Sequence, residues 1–189
     1  MAIIRNPPDP SLLAIACFSR HPEALAWAKE TLAKYFGPIS LISQDFEFQH
    51  TKYYEQEMGS GLRKRLLAFQ NLVPSDCLAE VKNRTISLEK ELIGQHLYPE
   101  NRPLNLDPGL LQLGKFLLAT TKDQAHRIYL RDGIYAEVTL RYHDGAFEPW
   151  PWTYADYREP GYHEFLLEAR TFFKGQLEKY RQGPATSEA

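Results

Sequence analysis

Cysteine is scarce: the 189 residues contain two, Cys17 inside an apolar run and Cys77 just after Pro74-Ser75-Asp76. Neither metal-ligand spacing nor a disulfide framework can be built from them, so both are expected to be reduced, packed thiols. A dominant charge is missing as well. The chain carries 22 Lys and Arg against 24 Asp and Glu, a formal net charge of -2, which leaves no global basic field to hold duplex nucleic acid or an anionic membrane. Any basic site must be local. Long hydrophobic runs are absent too: the longest, residues 12–18, falls far short of the ~20 apolar residues that cross a bilayer. The first residues, Met1-Ala2-Ile3-Ile4-Arg5-Asn6-Pro7-Pro8, hold no extended apolar segment of a secretory signal. A cytoplasmic protein is the expectation, with no membrane and no duplex nucleic acid among its partners.

Recognisable chemistry is equally thin. His21, His50, His96, His126, His143 and His163 include no His-x-His or His-x-x-x-His spacing, so a metal could be held only by an assembled set such as His50, Asp107, His126 and Glu137. No metal site is expected on this basis, and the sequence leaves any cofactor unknown. No Gly-x-Ser-x-Gly elbow is present. The stretch from Gly109 to Lys115 matches the start of a phosphate-binding loop, but it is leucine-rich and is followed by Phe116 where a magnesium-binding hydroxyl should stand. Asp107-Pro108 reads instead as a helix start capped by Asp107, or as an Asp-Pro-Gly turn.

What is present is an ordinary globular composition, 43% hydrophobic and 24% charged, suited to a single α+β domain over residues 1–182 with a flexible tail at 183–189. Residues 12–18 are apolar at every position, as in a central strand covered on both faces. Pro22 suits the first position of a helix in which Leu25, Ala28, Leu32 and Tyr35 recur at helical spacing, Gly37-Pro38 ends it, and residues 39–43 begin a second strand. Residues 62–73 fit helix or strand, with the balance towards strand. Leu78, Val81, Thr85, Leu88 and Leu92 then mark a helix that ends at Gly94, and residues 104–106 read as the next strand. The order β-α-β-β-α-β makes a ferredoxin-like arrangement an open possibility.

Residues 126–149 read as a three-stranded antiparallel meander. Ile134, Ala136, Val138, Leu140 and Tyr142 alternate with Tyr135, Glu137, Thr139, Arg141 and His143, giving one apolar face and one polar face. A three-residue loop Arg131-Asp132-Gly133 sets Leu130 opposite Ile134, Ile128 opposite Ala136 and Arg127 opposite Glu137; a two-residue Asp132-Gly133 turn would set Ile128 against Glu137. At Asp144-Gly145 a two-residue turn pairs Tyr142 with Phe147 and Arg141 with Glu148. The last helix spans residues 162–180, with Phe165, Leu166, Ala169, Phe172, Phe173 and Leu177 as its buried stripe.

Several segments carry a resemblance. The longest is Phe46-Glu47-Phe48-Gln49-His50-Thr51-Lys52-Tyr53-Tyr54-Glu55-Gln56-Glu57-Met58-Gly59. It is joined by Asn105-Leu106-Asp107-Pro108-Gly109, Leu118-Ala119-Thr120-Thr121-Lys122-Asp123 and His126-Arg127-Ile128-Tyr129-Leu130. Gly133-Ile134-Tyr135-Ala136-Glu137-Val138-Thr139-Leu140 and Trp152-Thr153-Tyr154-Ala155-Asp156-Tyr157 complete the set. Over nearly its whole length the chain resembles an uncharacterised prokaryotic family, domain of unknown function 4416. The resemblance implies that polar positions inside these segments are marked ones in the family, and it supplies no activity and no catalytic residue.

Two clusters stand out as candidate sites. Lys115, Thr120, Thr121, Lys122, His126 and Arg127, beside Asp107, Glu137 and Thr139, combine cations and hydroxyls of the kind that receive a phosphate or carboxylate. The plain alternative is a solvated loop plus an Arg127–Glu137 cross-strand pair worth well under about 1 kcal/mol. Tyr54 could stack on a ligand ring, and Glu57, like His126 and Glu137, could act as an acid or base if desolvated. The expected function is binding, and conceivable transformation, of a small anionic metabolite or nucleotide. The alternative is a protein-interaction module, or self-association, through the aromatic segment 150–157, whose residues would otherwise pack across the open end of the sheet.

Overall fold

The computed structural model describes residues 8–48 and 55–183. In chain order the strands are β1 (Ser11–Ser19), β2 (Ile39–Ile42), β3 (Phe46–Glu47), β4 (Arg63–Val73), β5 (Asn105–Gln112), β6 (Lys115–Thr120), β7 (Ile128–Arg131), β8 (Ile134–His143) and β9 (Ala146–Pro149). The helices are α1 (Pro22–Phe36), α2 (Glu55–Met58), α3 (Leu78–Gly94) and α4 (Pro160–Gln182), with a 3-10 turn at Asp156–Arg158.

All nine strands join one sheet, in the order β2-β4-β1-β5-β6-β8-β7, with β3 against β4 and β9 against β8. Every pairing is antiparallel. In the β2-β4-β1-β5 half, β4 fills the slot between β1 and β2, which is the split β-α-β of a ferredoxin-like unit. β6, β8, β7 and β9 extend that sheet along its β5 side, while β3 follows β2 along β4. β1 is buried at all nine positions, because its two sets of alternate residues enter different cores. Leu13, Ile15 and Cys17 meet α1 and α3, while Leu12, Ala14 and Ala16 meet α4.

Local chemistry accounts for the element ends. Pro22 opens α1, and Gly37 closes it at φ 89, a conformation that glycine adopts without a Cβ penalty, with its N–H donating to the Ala33 carbonyl at 3.0 Å. Tyr35 departs from the expected stripe: it is exposed and lies beneath the Arg84 guanidinium. Within residues 62–73 the stretch Arg63–Val73 forms a strand, because each alternate position from Lys64 to Ala68 packs inward on the α4 side. The stripes of α3 and α4 are buried as the periodicity requires, except that Phe172 is only half-buried.

Three local expectations need correction. Asp107 and Pro108 neither cap a helix nor turn; they lie within β5, where Pro108 stands opposite Ile15. At the first meander turn, Asp132 and Gly133 both have positive φ and form a two-residue turn with Arg131 opposite Ile134, and a bulge at Leu130 then restores the expected pairing of Ile128 with Ala136. The bulge absorbs the residue that the longer loop was invoked to absorb. The polar and apolar faces of β8 also exchange midway. Phe116 pairs with Leu140 but Leu117 with Val138, so Thr139 is an extra residue; Ile134 and Ala136 face the α3 core, whereas Leu140 and Tyr142 face α4. The Asp144-Gly145 turn pairs Tyr142 with Phe147 and Arg141 with Glu148 as expected. β7 buries none of its four residues, and Ile128 is 71% exposed. The tail beyond Gly183 lies outside the described residues.

Gly109 marks a close approach between neighbouring strands. A Cβ there would stand 2.4 Å from the Leu117 carbonyl oxygen and 2.6 Å from the Phe116 ring. Gly109→Ala is therefore expected to destabilise the fold by about 2–3 kcal/mol in urea unfolding. A loss below about 0.5 kcal/mol, the usual range for unconstrained surface sites, would show that the two strands are not held this closely.

Candidate functional site

β5 and β6 are paired only from Gly109–Leu118 to Gln112–Lys115. Beyond that point β5 continues along β1 and β6 continues along β8, so the two strands part. The backbone that loses its neighbour must find other partners. Helix α3 supplies them: Glu89 accepts the Leu106 N–H at 2.7 Å, and the Lys82 ammonium donates to the Leu106 carbonyl at 2.8 Å. Two residues further on, alternation points the nitrogen of Pro108 towards the same gap, where it has no hydrogen to satisfy.

The gap opens a cleft of about 510 Å³ on the α4 side of the sheet. Lys64, opposite both Phe18 and Phe46 on the neighbouring strands, is buried there. Its ammonium lies 2.5 Å from Asp156 and over the rings of Tyr157 at 4.5 Å, Phe18 at 5.4 Å and Phe48 at 5.6 Å. Lys82 also reaches Asp107 at 3.0 Å. Arg102 contacts Glu89 at 3.3 Å and Glu57 at 3.9 Å, and donates to Asn105 Oδ1. Burial raises the Asp107 pKa, but Lys82, Lys64 and Arg102 together outweigh it and hold the carboxyl below the ordinary range. At Glu89 burial wins over the same two partners, Lys82 and Arg102, and the carboxyl is raised.

Of the residues singled out from the sequence, Glu57, Asp107, Thr120, Thr121, Lys122 and Glu137 line this cleft. Arg127, His126 and Thr139 stand behind Glu137, at 2.9, 3.4 and 3.2 Å from its carboxylate oxygens. Arg127 also donates to the Lys122 carbonyl at 3.0 Å and to the Tyr154 hydroxyl at 2.6 Å, tying the loop after β6 to the aromatic segment. Burial, followed by the nearby Glu137 charge, pushes the Tyr154 hydroxyl up to about 12. Lys115 does not join the group: it is exposed at the opposite end of β6, across from Arg141. Tyr54, like His50, lies outside the described residues. Among the described residues no three His, Cys, Asp or Glu side chains come together as a metal site requires. Cys17 is buried and Cys77 half-buried, and burial raises the pKa of both thiols, that of Cys77 to about 11.

The Arg127–Glu137 pair is not the exposed cross-strand pair that the sequence allowed, since its two side chains are 2% and 1% exposed. The segment after β9 folds over β8. Trp150 and Trp152 stack at 5.3 Å, His126 stacks on Trp152 at 5.3 Å, and the Trp152 indole donates to the Val138 carbonyl at 3.2 Å. Its far end, Tyr154 to Tyr157, forms one wall of the cleft.

Lys64, Lys82, Arg102, Asn105, Asp156 and Tyr157 were not read as site residues. The signal for two of them was present: Lys64 continues the inward stripe of Leu66 and Ala68, and Lys82 occupies the stripe of Leu78 and Thr85. A charge at a core position needs a partner, and the partner marks a site. Asn105, Asp156 and Tyr157 lay inside quoted segments. Five buried side-chain polar atoms among the described residues have no hydrogen-bond partner, and two of them, Asn105 Nδ2 and the Tyr157 hydroxyl, belong to residues lining the cleft. Because Arg102 is a donor only, it fixes the Asn105 oxygen towards itself and leaves the amide nitrogen as the group without a partner.

Fold and site thus define an α+β domain in which a ferredoxin-like half-sheet, extended by a meander, splits to form an ionic cleft walled by aromatic rings. The chain belongs to the family described as Domain of unknown function (DUF4416), which matches residues 9–173. No curated protein matches the chain, and no solved structure does. The described parts of five of its six quoted segments, residues 46–59, 105–109, 118–123, 133–140 and 152–157, contribute to the cleft, and the sixth provides Arg127 and His126 behind it.

Three outcomes test this geometry. Glu89→Leu is expected to lose about 2–3 kcal/mol in urea unfolding at neutral pH, because the Leu106 N–H is left buried without an acceptor, whereas Glu89→Gln keeps an acceptor and stays within about 1 kcal/mol. Arg127→Met should cost about 3–5 kcal/mol, the loss that follows when a buried carboxylate is stripped of its partner; a change under about 1 kcal/mol would place the pair at the surface. Because the folded pKa of Asp107 is depressed, its contribution to stability is complete above the unfolded value and disappears as pH falls through the folded one. Asp107→Asn should therefore flatten the acid limb of a stability-against-pH curve below about pH 4. An unaltered limb would mean that its neighbours do not hold this carboxylate ionised.

Proposed function

We propose that the protein binds a small anionic metabolite whose carboxylate or phosphate oxygens are received in the cleft among Asn105, Tyr157, Lys64, Lys82 and Arg102. One observation carries the reading. Buried donors are nearly always paired, yet the Asn105 amide and the Tyr157 hydroxyl, 2% and 1% exposed residues on the cleft lining, have no protein partner. The demand left open is for an acceptor, and the surrounding cations favour one that is charged. The cleft volume lies within the about 300–1,000 Å³ typical of small-molecule sites, which admits a nucleotide as well as smaller anions.

Binding is favoured over catalysis because the candidate acid-base groups are otherwise engaged. Glu137 is held by Arg127 and Thr139, His126 is stacked on Trp152, and Glu57 is exposed beside Arg102. Docking through residues 150–157 is the weaker reading, since Thr153, Asp156 and Tyr157 are buried and the two Trp rings pack on each other.

Thermal-shift and calorimetric titration with inorganic phosphate, a nucleoside monophosphate, sugar phosphates, succinate and the amino-carboxylate δ-aminovalerate provides the test. At least one class should raise the melting temperature. Tyr157→Phe removes only the hydroxyl without a partner, so unliganded stability should be unchanged or slightly higher while affinity falls by about tenfold, the worth of one hydrogen bond to a charged acceptor. If the whole panel leaves the wild-type protein unmoved, the reading fails.

A further inference from the structure

We infer that the ligand is zwitterionic, with an anionic group at one end and an ammonium at the other; this rests on the reading of the cleft as an anion-binding site and narrows it. The cleft is balanced in charge. Four cations, Lys64, Lys82, Arg102 and Lys122, and four carboxylates, Asp156, Asp107, Glu57 and Glu137, line it. Lys64 faces Asp156 at 2.5 Å and Lys82 faces Asp107 at 3.0 Å, Arg102 lies between Glu89 at 3.3 Å and Glu57 at 3.9 Å, and Glu137 is met from behind by Arg127 at 2.9 Å. Such a site lacks the excess of positive charge that a dianion needs. A dianion placed with one end near Asn105 brings its other end to the carboxylates, where like charges oppose it.

The same carboxylates are suited to a cation. The ion pairs use Oδ2 of Asp156 and Oδ1 of Asp107, and a carboxylate accepts at both oxygens. The neighbouring wall has the same preference: the faces of Phe18, Phe48 and Tyr157 already receive one ammonium, that of Lys64, at 4.5–5.6 Å, and an aromatic face attracts cations and repels anions. Donors without a partner at Asn105 and Tyr157 ask for the anionic end. Carboxylate and phosphate satisfy those donors alike, so the anionic group is defined by its acceptor oxygens.

Probes matched in length separate the possibilities. Glutarate, δ-aminovalerate and cadaverine share one five-carbon chain and differ in their charged ends; phosphoglycolate and phosphoethanolamine make the corresponding comparison for a phosphate head. By calorimetric titration of the full chain, the zwitterion of at least one set should bind about tenfold or more tightly than its purely anionic counterpart, and cadaverine should not bind. The set that responds identifies carboxylate or phosphate as the head group. Asp107→Asn should shift the affinity ratio towards glutarate or phosphoglycolate by about tenfold. Glu57→Gln, at an exposed position where folding is not at risk, should shift it the same way. Anions binding as tightly as zwitterions, or ratios unmoved in both variants, would overturn the zwitterion while leaving the anion-binding reading in place. Binding of cadaverine alone, or of none of these probes, would overturn both.

Discussion

The parting of β5 from β6 is the constraint on which the rest of this structure depends. A β-strand that leaves its neighbour exposes a row of peptide groups, and inside a protein those groups must be satisfied. Here the side chains of Lys82 and Glu89, projecting from α3, take the place of the missing strand at Leu106, and Pro108 removes one demand altogether. An opening in the middle of a sheet becomes stable only because a helix on one face donates charge into it. That charge then needs its own partners, which is why Asp107 and Arg102 gather at the same point.

A chain of paired charges follows from this. Burying an ion without a partner costs several kcal/mol, so each cation introduced near the gap brings a carboxylate with it. Lys64 with Asp156 and Arg127 with Glu137 extend the pattern on either side. Such pairs add little net stability compared with apolar packing, yet they are costly to break singly. They give the cleft a fixed geometry, with its hydrogen-bonding groups held in place by their partners. Among the described residues, Asn105 and Tyr157 stand apart from the pattern as the lining residues with buried donors lacking a partner.

The aromatic segment after β9 has a structural role that explains its composition. Trp150, Trp152 and His126 form a continuous stack beside β8, and Thr153 anchors the segment by donating to the Thr139 carbonyl at 2.5 Å. Thr139 is the bulge residue of β8, so the irregularity that exchanges the faces of that strand is also where the segment attaches. The bulge places Glu137 on the cleft and Leu140 under α4, serving site and core at once.

The sequence by itself determined α1, β1, α3, α4 and the β8–β9 hairpin, because their causes are local, but not β6 or the run of β5 beyond Leu106. Helical periodicity with Pro22 and Gly37 bounds α1, uniform apolarity identifies β1 as central, and Asp144-Gly145 fixes the β8–β9 register through the twist of a two-residue turn. Asp107, Glu137, Arg127 and Lys122 were also legible as polar residues grouped near adjacent strands. The tertiary structure alone decided where they lead. A bulge at Leu130 or Thr139 conserves the overall register while altering turn and face, and no local pattern announces it. The position of Lys115 on the strand gave no indication that its end of β6 points away from the gap. Lys64, Lys82 and Asp156 lie far apart in the chain, and only the packing of β4, α3 and the segment before α4 brings them to one opening. Burial is a property of the assembled sheet, and burial is what turns an ordinary pair such as Arg127 and Glu137 into an interaction that the fold cannot lose.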